Sequence, residues 1–108
     1  MRMWMVDPRI MCRKHLLGEH VECHMLYASI ARGKYPHSDK QKRILDPSSL
    51  HRRHSALAQE VERRGYNHKS PMPPFPDDYT PPHGEISLSE SLSDLFSRCR
   101  DCGQIYIE

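Results

Sequence analysis

Nothing in this chain approaches the roughly 20 apolar residues that a membrane-spanning helix requires. Its start, Met1 to Pro8, also lacks the apolar stretch and small-residue cleavage site of an export signal, so a cytoplasmic protein is expected. There is no internal repeat and no convincing pair of strand-like segments, which argues against solenoids and β-sheet folds. Length is limited too: 108 residues close one modest core but seldom two, so a single domain over residues 1–108 is expected. Cysteines number only four, Cys12, Cys23, Cys99 and Cys102. In a chain without an export signal they point to reduced thiols or a metal rather than to disulfides.

Net charge is small, +2, but unevenly placed: residues 1–69 hold 14 Lys/Arg against 7 Asp/Glu, and residues 70–108 hold 2 against 7. A basic first part suits a phosphate-binding surface, although a solvated face accounts for the same pattern.

Local signals point to three helices. Asp7-Pro8 reads as a turn, after which Leu17, Val21, Met25 and Ala28 recur at helical spacing, giving a first helix from about residue 9 or 14 to 32. Asp46-Pro47 is a helix start with Asp as N-cap and Pro in the first turn. Leu50, Leu57 and Val61 mark the buried stripe of this second helix, and Gly65 ends it. His54 falls on that stripe and reads as a core residue. Residues 71–84 carry six prolines and a glycine, and must be an irregular strap. Ser87 and Glu90 form a capping box ahead of Leu88, Leu92, Leu95 and Phe96, predicting a third helix that ends near Arg98. Beyond it lies a β-prone Ile105-Tyr106-Ile107. The fold class expected is all-α: three helices with a proline-rich connection and a short tail.

On a helical wheel His15, Glu19 and Glu22 share one arc, with Leu17, Val21, Met25 and Ala28 largely opposite. Periodicity alone leaves this as a solvated polar face or a reactive stripe. Three blocks add a resemblance. Met1-Arg2 together with Lys14-His15-Leu16-Leu17-Gly18-Glu19-His20-Val21-Glu22, then Arg63-Arg64-Gly65-Tyr66-Asn67-His68-Lys69, then Asp78-Tyr79-Thr80-Pro81 occur in that order. Together they resemble the phage-type pyrimidine-dimer DNA glycosylases, also called dimer-specific endonuclease V, over roughly residues 1–96.

The resemblance implies a compact helical DNA-repair enzyme, a glycosylase with abasic-site lyase activity. Its N-terminal amine would attack C1′ of a damaged nucleotide, form an imine and cut the strand by β-elimination. The amine falls on Met1, retained because bulky Arg2 blocks its removal, and the catalytic glutamate falls on Glu22. An α-amine titrates near ~8 against ~10.4 for lysine, so such amines are the better nucleophiles near neutral pH. Glu22 would stabilise positive charge at C1′ and move protons. Arg2, Lys14, His15, Arg64 and Lys69 are the DNA-binding candidates, with Arg52 and Arg53 as further phosphate ligands. Glu19 would support the site or the fold. The implied partner is double-stranded DNA bearing damaged pyrimidines or abasic sites, bound by a monomer, and the reaction needs no cofactor.

Two positions depart from the family pattern, Val21 and Met25, where the family carries DNA-contacting arginines. They detach the ultraviolet-dimer specificity from the lyase chemistry and leave room for another distorted pyrimidine. The tail departs as well: Cys99-x-x-Cys102-Gly103 resembles one knuckle of a zinc ribbon. Tetrahedral zinc takes four ligands, so Cys12, Cys23 or a histidine such as His83 would have to complete a structural site. Two rival functions remain at this level. One is a metal-dependent hydrolase or nuclease using His20, His24 and Glu19 or Glu22, although His-x-Glu-x-His is not the zincin order. The other is a non-enzymatic DNA-binding module.

Overall fold

A computed structural model describes residues 1–103. The β-prone segment at residues 105–107 lies outside them. Three long helices carry the fold: α1 (Arg13–Ala31), α3 (Leu50–Arg63) and α4 (Leu88–Arg98), with a one-turn helix α2 (Asp39–Lys42) between the first two. Two short 3-10 turns precede α1 and α3, at Pro8–Ile10 and Pro47–Ser49. No strand occurs among the described residues, and the all-α, three-helix arrangement is the one the sequence predicts.

The local stop and start signals act largely as expected. Gly65 takes a φ of +89°, the left-handed conformation that closes α3. The Ser87 hydroxyl accepts the Glu90 amide at 3.3 Å and opens α4. Asp46 differs from its expected role. Its carboxylate caps no backbone amide of the following turn but accepts the Ser48 and Ser49 hydroxyls at 2.6 and 2.8 Å and the Gly84 amide at 2.9 Å. It therefore staples the proline-rich strap to the entry of α3. Gly84 fits there because a Cβ would stand 2.1 Å from the Leu45 carbonyl oxygen.

The face of α1 is where the sequence reading fails. Leu16, Glu19, Cys23 and Leu26 are buried, while Val21 and Met25 are 55% and 51% exposed. Half of the expected apolar stripe thus turns outward, while Leu17 and Ala28 are half-buried, Leu17 against the core. Apolar side chains lie on every side of α1, so periodicity carries little directional information, and a polar contact decides the rotation instead. That contact is Glu19 to Arg53. Arg53, 6% exposed on α3, donates from Nε and Nη2 to the two Glu19 oxygens at 2.5 and 2.9 Å, and from Nη1 to the Val6 carbonyl at 2.6 Å. Its expected role as a phosphate ligand is therefore overturned, because the guanidinium lies inside the protein.

The chain start joins the same core. Met3, Trp4 and Val6 are buried, and the Met3 amide donates to the Ile44 carbonyl at 2.8 Å. Between them Met5 holds a φ of +60°, strained for a side chain of this kind and sustained by the buried residues on both sides.

Two stability predictions follow from these contacts. Arg53→Ala leaves the Glu19 carboxylate buried and unpaired, and urea denaturation should show a loss of about 3–5 kcal/mol. An effect below about 1 kcal/mol would contradict the bridge as the link between α1 and α3. Gly84→Ala forces the strap away from Leu45 and should lower stability by about 1–3 kcal/mol.

Candidate active site

The anchored start of the chain lies against α1. The Arg2 backbone amide donates to Glu22 Oε2 at 3.2 Å, across 20 residues of sequence. Standard backbone dimensions put an α-amine within roughly 3.7 Å of the next residue's nitrogen, so the Met1 amine stands no more than about 7 Å from that carboxylate oxygen. Met1 itself is 44% exposed. An amine and a carboxylate thus share one edge of the molecule, both reachable from solvent.

A cleft of about 390 Å³ opens at this edge, lined by Arg2, Trp4, Lys14, His15, Gly18, Glu19, Glu22 and Arg98. The Arg2 guanidinium stacks 3.9 Å above the Trp4 ring and bonds Asp94 of α4 at 3.0 Å. Its Nε is buried and has no hydrogen-bond partner among the described residues. Arg98, also of α4, lies 6.0 Å from the Trp4 ring, and His15 meets that ring edge-on at 6.0 Å. Three cations, Arg2, Lys14 and Arg98, therefore surround one carboxylate that remains open to solvent, since Glu19 is committed to Arg53.

Of the residues singled out from sequence, Arg2, Lys14, His15 and Glu22 come together in this cleft, and Met1 adjoins it through its bond to Arg2. Arg64 and Lys69 do not line the cleft. Arg64 donates from Nε to Glu60 at 2.7 Å and from Nη2 to the Pro8 and Met11 carbonyls at 3.2 and 2.6 Å, so its guanidinium braces the turn before α1. Lys69 is exposed beyond the end of α3. Arg52 is exposed on α3, its Nη2 bonded to the Ser49 hydroxyl at 2.9 Å. Sequence reasoning missed Trp4, Asp94 and Arg98. The sole Trp lying two residues from Arg2 was the available signal for Trp4. Nothing local ties α4 to the chain start.

Cys99 and Cys102 meet Cys12 and His15, whose ligand atoms together with theirs all lie within 4.8 Å of one another. Cys23 is not in that group but in the core, where burial pushes its thiol up to about 12. His83 is also elsewhere, its carbonyl accepting from or facing His37 Nε2 at 3.0 Å.

His20 and His24 do not form a site with Glu22, which is turned to the Arg2 amide. They pack instead with His54 and His68. His20 and His68 approach at 2.8 Å between Nε2 atoms, His24 and His54 at 3.1 Å, and His54 Nε2 also faces the Ser70 carbonyl at 3.1 Å. Each close nitrogen pair needs one donor and one acceptor, a condition that neutral imidazoles meet. His54 is indeed buried, as expected, but in a polar cluster.

Fold and cleft together define a small all-helical protein that holds its own chain start beside a carboxylate in a cation-rich cleft. The family model described as pyrimidine dimer DNA glycosylase matches residues 1–74. The chain belongs to this family of DNA-repair glycosylases. The match includes α1, α3 and the chain start, whereas α4 and the Cys99–Cys102 knuckle lie beyond it. No curated protein and no solved structure matches the chain. No helix among the described residues is long and apolar enough to cross a membrane.

The histidine cluster sets a pH dependence. Burial, then the neighbouring charges of His54, His24 and His68, push His20 down from 6.5 to about 4, and burial likewise lowers His54. Between these values the unfolded chain binds protons that the folded one refuses, so this stability is complete above about pH 6.5 and is lost as pH falls toward 4. The Asp7 and Glu60 carboxyls, held down by hydrogen bonds from Arg9 and Arg63, add stability that is present above their ordinary values of 3.8 and 4.5 and is lost only as pH falls below them. Thermal melts should show a midpoint that drops from pH 6.5 to 4.5, with a shallower drop in His20→Gln. A flat profile in the parent protein counts against the neutral cluster.

Proposed function

We propose that this protein is a bifunctional DNA glycosylase and abasic-site lyase for damaged pyrimidines, with the Met1 α-amine as nucleophile and Glu22 as the catalytic carboxylate. The observation that carries the reading is the hydrogen bond from the Arg2 amide to Glu22 Oε2, which binds the start of the chain to the carboxylate. Family membership supports the glycosylase part.

In this mechanism the amine lone pair forms an N–C1′ bond while the bond from C1′ to the damaged base breaks, the base leaving with the bonding electrons and collecting a proton. Ring opening gives an imine between Met1 and the sugar. Loss of a proton from C2′ then expels the 3′ phosphate, cutting the strand. Glu22 is suited to two of these tasks. Its negative charge opposes the positive charge that builds at C1′ and on the iminium, and its carboxylate can relay the protons of ring opening and elimination. The backbone amide of Arg2 orients that carboxylate without adding a second positive charge.

Binding would rest on Arg2, Lys14 and Arg98, whose charges suit the phosphates on either side of a nucleotide drawn out of the stack. His15 adds a ring at the same rim. Arg64 and Arg53 are excluded from this set because their carboxylate partners Glu60 and Glu19 are buried, whereas Asp94, the partner of Arg2, is 47% exposed and can yield it to a phosphate. Val21 and Met25 present an exposed apolar pair next to Glu22 on α1, so contact with the lesion there would be apolar instead of cationic. That favours recognition of a distorted pyrimidine by shape and stacking over phosphate clamping.

The test uses duplexes carrying an abasic site or a cyclobutane dimer, incubated with the protein and borohydride. Reduction should trap a covalent adduct that maps to the Met1 amine. Glu22→Gln should lower strand cleavage on the order of 10²-fold or more while duplex binding persists. N-terminally acetylated protein that still cuts would rule out the amine mechanism. Trapping on the abasic duplex without release of the dimer would uphold the lyase and reject dimers as the substrate.

A further inference from the structure

We propose that Cys12, His15, Cys99 and Cys102 form a structural zinc site that joins the start of α1 to the end of α4. The site is independent of the lyase reading. Two short chelating pairs build it, Cys12-x-x-His15 in the first turn of α1 and Cys99-x-x-Cys102 just after α4.

The distances fit one tetrahedron. With Zn–S near 2.3 Å and Zn–N near 2.0–2.1 Å, tetrahedral ligands stand about 3.8 Å apart for two sulfurs and about 3.6 Å for sulfur and nitrogen. Cys12 Sγ lies 3.7 Å from Cys99 Sγ and 3.3 Å from His15 Nδ1, and Cys102 Sγ lies 3.6 Å from the same nitrogen. All four ligand atoms are mutually within 4.8 Å. A disulfide requires about 2.05 Å, and the four cysteines of the chain are free.

The surroundings suit thiolates. The Cys12 amide donates to Cys102 Sγ at 3.2 Å and the Cys102 amide to Cys99 Sγ at 3.4 Å, backbone bonds that stabilise negative sulfur. Gly103 follows with a φ of +89°, and its amide donates to the Ile10 carbonyl at 2.9 Å, so the knuckle is fastened to the turn before α1. A Cβ at Gly103 would press to 2.9 Å from the Phe96 ring. Three sulfurs and one nitrogen in a half-buried group, Cys12 and Cys102 buried and His15 and Cys99 partly exposed, match the donor set of structural zinc, with four protein ligands and no position left for substrate.

The bridge would act on the cleft without entering the chemistry. It would link Cys12 to a knuckle beside Arg98, and α4 also supplies the Asp94 that holds Arg2. Coordination through Nδ1 fixes His15 as a neutral ring with its proton on Nε2, leaving that N–H as the donor His15 can offer at the cleft.

The experiment takes the full chain, without an affinity tag that binds metal, purified from zinc-supplemented culture. Elemental analysis after dialysis should give about one zinc per chain. X-ray absorption on this unaltered protein should report three sulfurs and one nitrogen. The Cys99→Ser and Cys102→Ser variants should lose the metal, and Cys23→Ala should keep it. Replacement by cobalt(II) should produce thiolate charge-transfer bands and the visible spectrum of a tetrahedral ion. Metal-free protein whose melting point ignores both added zinc and a strong chelator would overturn the proposal. So would a first shell of nitrogens alone, which would move the metal to the His20, His54 and His68 group.

Discussion

The buried pair between Arg53 and Glu19 is the constraint on which the rest of this structure depends. A guanidinium inside a small core is tolerable only when most of its donors are matched, and here Glu19 and the Val6 carbonyl take three of them. The consequence is a fixed rotation of α1. With Glu19 turned inward, Leu16, Cys23 and Leu26 follow it at helical spacing, Val21 and Met25 face out, and Glu22 falls at the boundary. The bond to Val6 draws the chain start onto the same helix, where the Arg2 amide meets Glu22. One polar contact thus sets both which face is core and which carboxylate remains open in the cleft.

Polar struts recur elsewhere, in keeping with a chain of limited apolar content. Arg64 braces the turn at Pro8–Ile10, Glu60 ties it to α3, and Asp46 holds the strap at Gly84. The histidine cluster fills the other side of the interface between α1 and α3 with rings that pack as apolar bodies while neutral. The proposed zinc bridge at the end of α4 would belong to the same strategy: in a domain this small, a few strong links supply what a larger core would provide.

How much of this was legible beforehand depended on the distance over which each signal acts. Ser87 and Gly65 work through their own backbone and immediate neighbours, so the positions of α3 and α4 could be read directly. Met1, Arg2 and Glu22 stand out through a family resemblance, and the cleft joins Arg2 to Glu22 with Met1 one residue away. Arg53 was misjudged because an arginine on a helix reads as a surface charge until its partner 34 residues away is known. Cys12 is among the completing ligands the sequence offers for Cys99-x-x-Cys102, but His15 is not, although Cys12-x-x-His15 repeats the same spacing, because His15 reads as a DNA contact.

The sequence by itself determined three helices, a proline strap, a basic first part and membership in a DNA-repair family, since each is written in composition, local capping or consecutive motifs. Tertiary structure alone decided which way α1 faces, which cations line the cleft, and that residues 12 and 102 meet at one point. The physical reason is that burial, ion pairing and ligand convergence are properties of side chains brought together from distant parts of the chain. No window of neighbouring residues contains them.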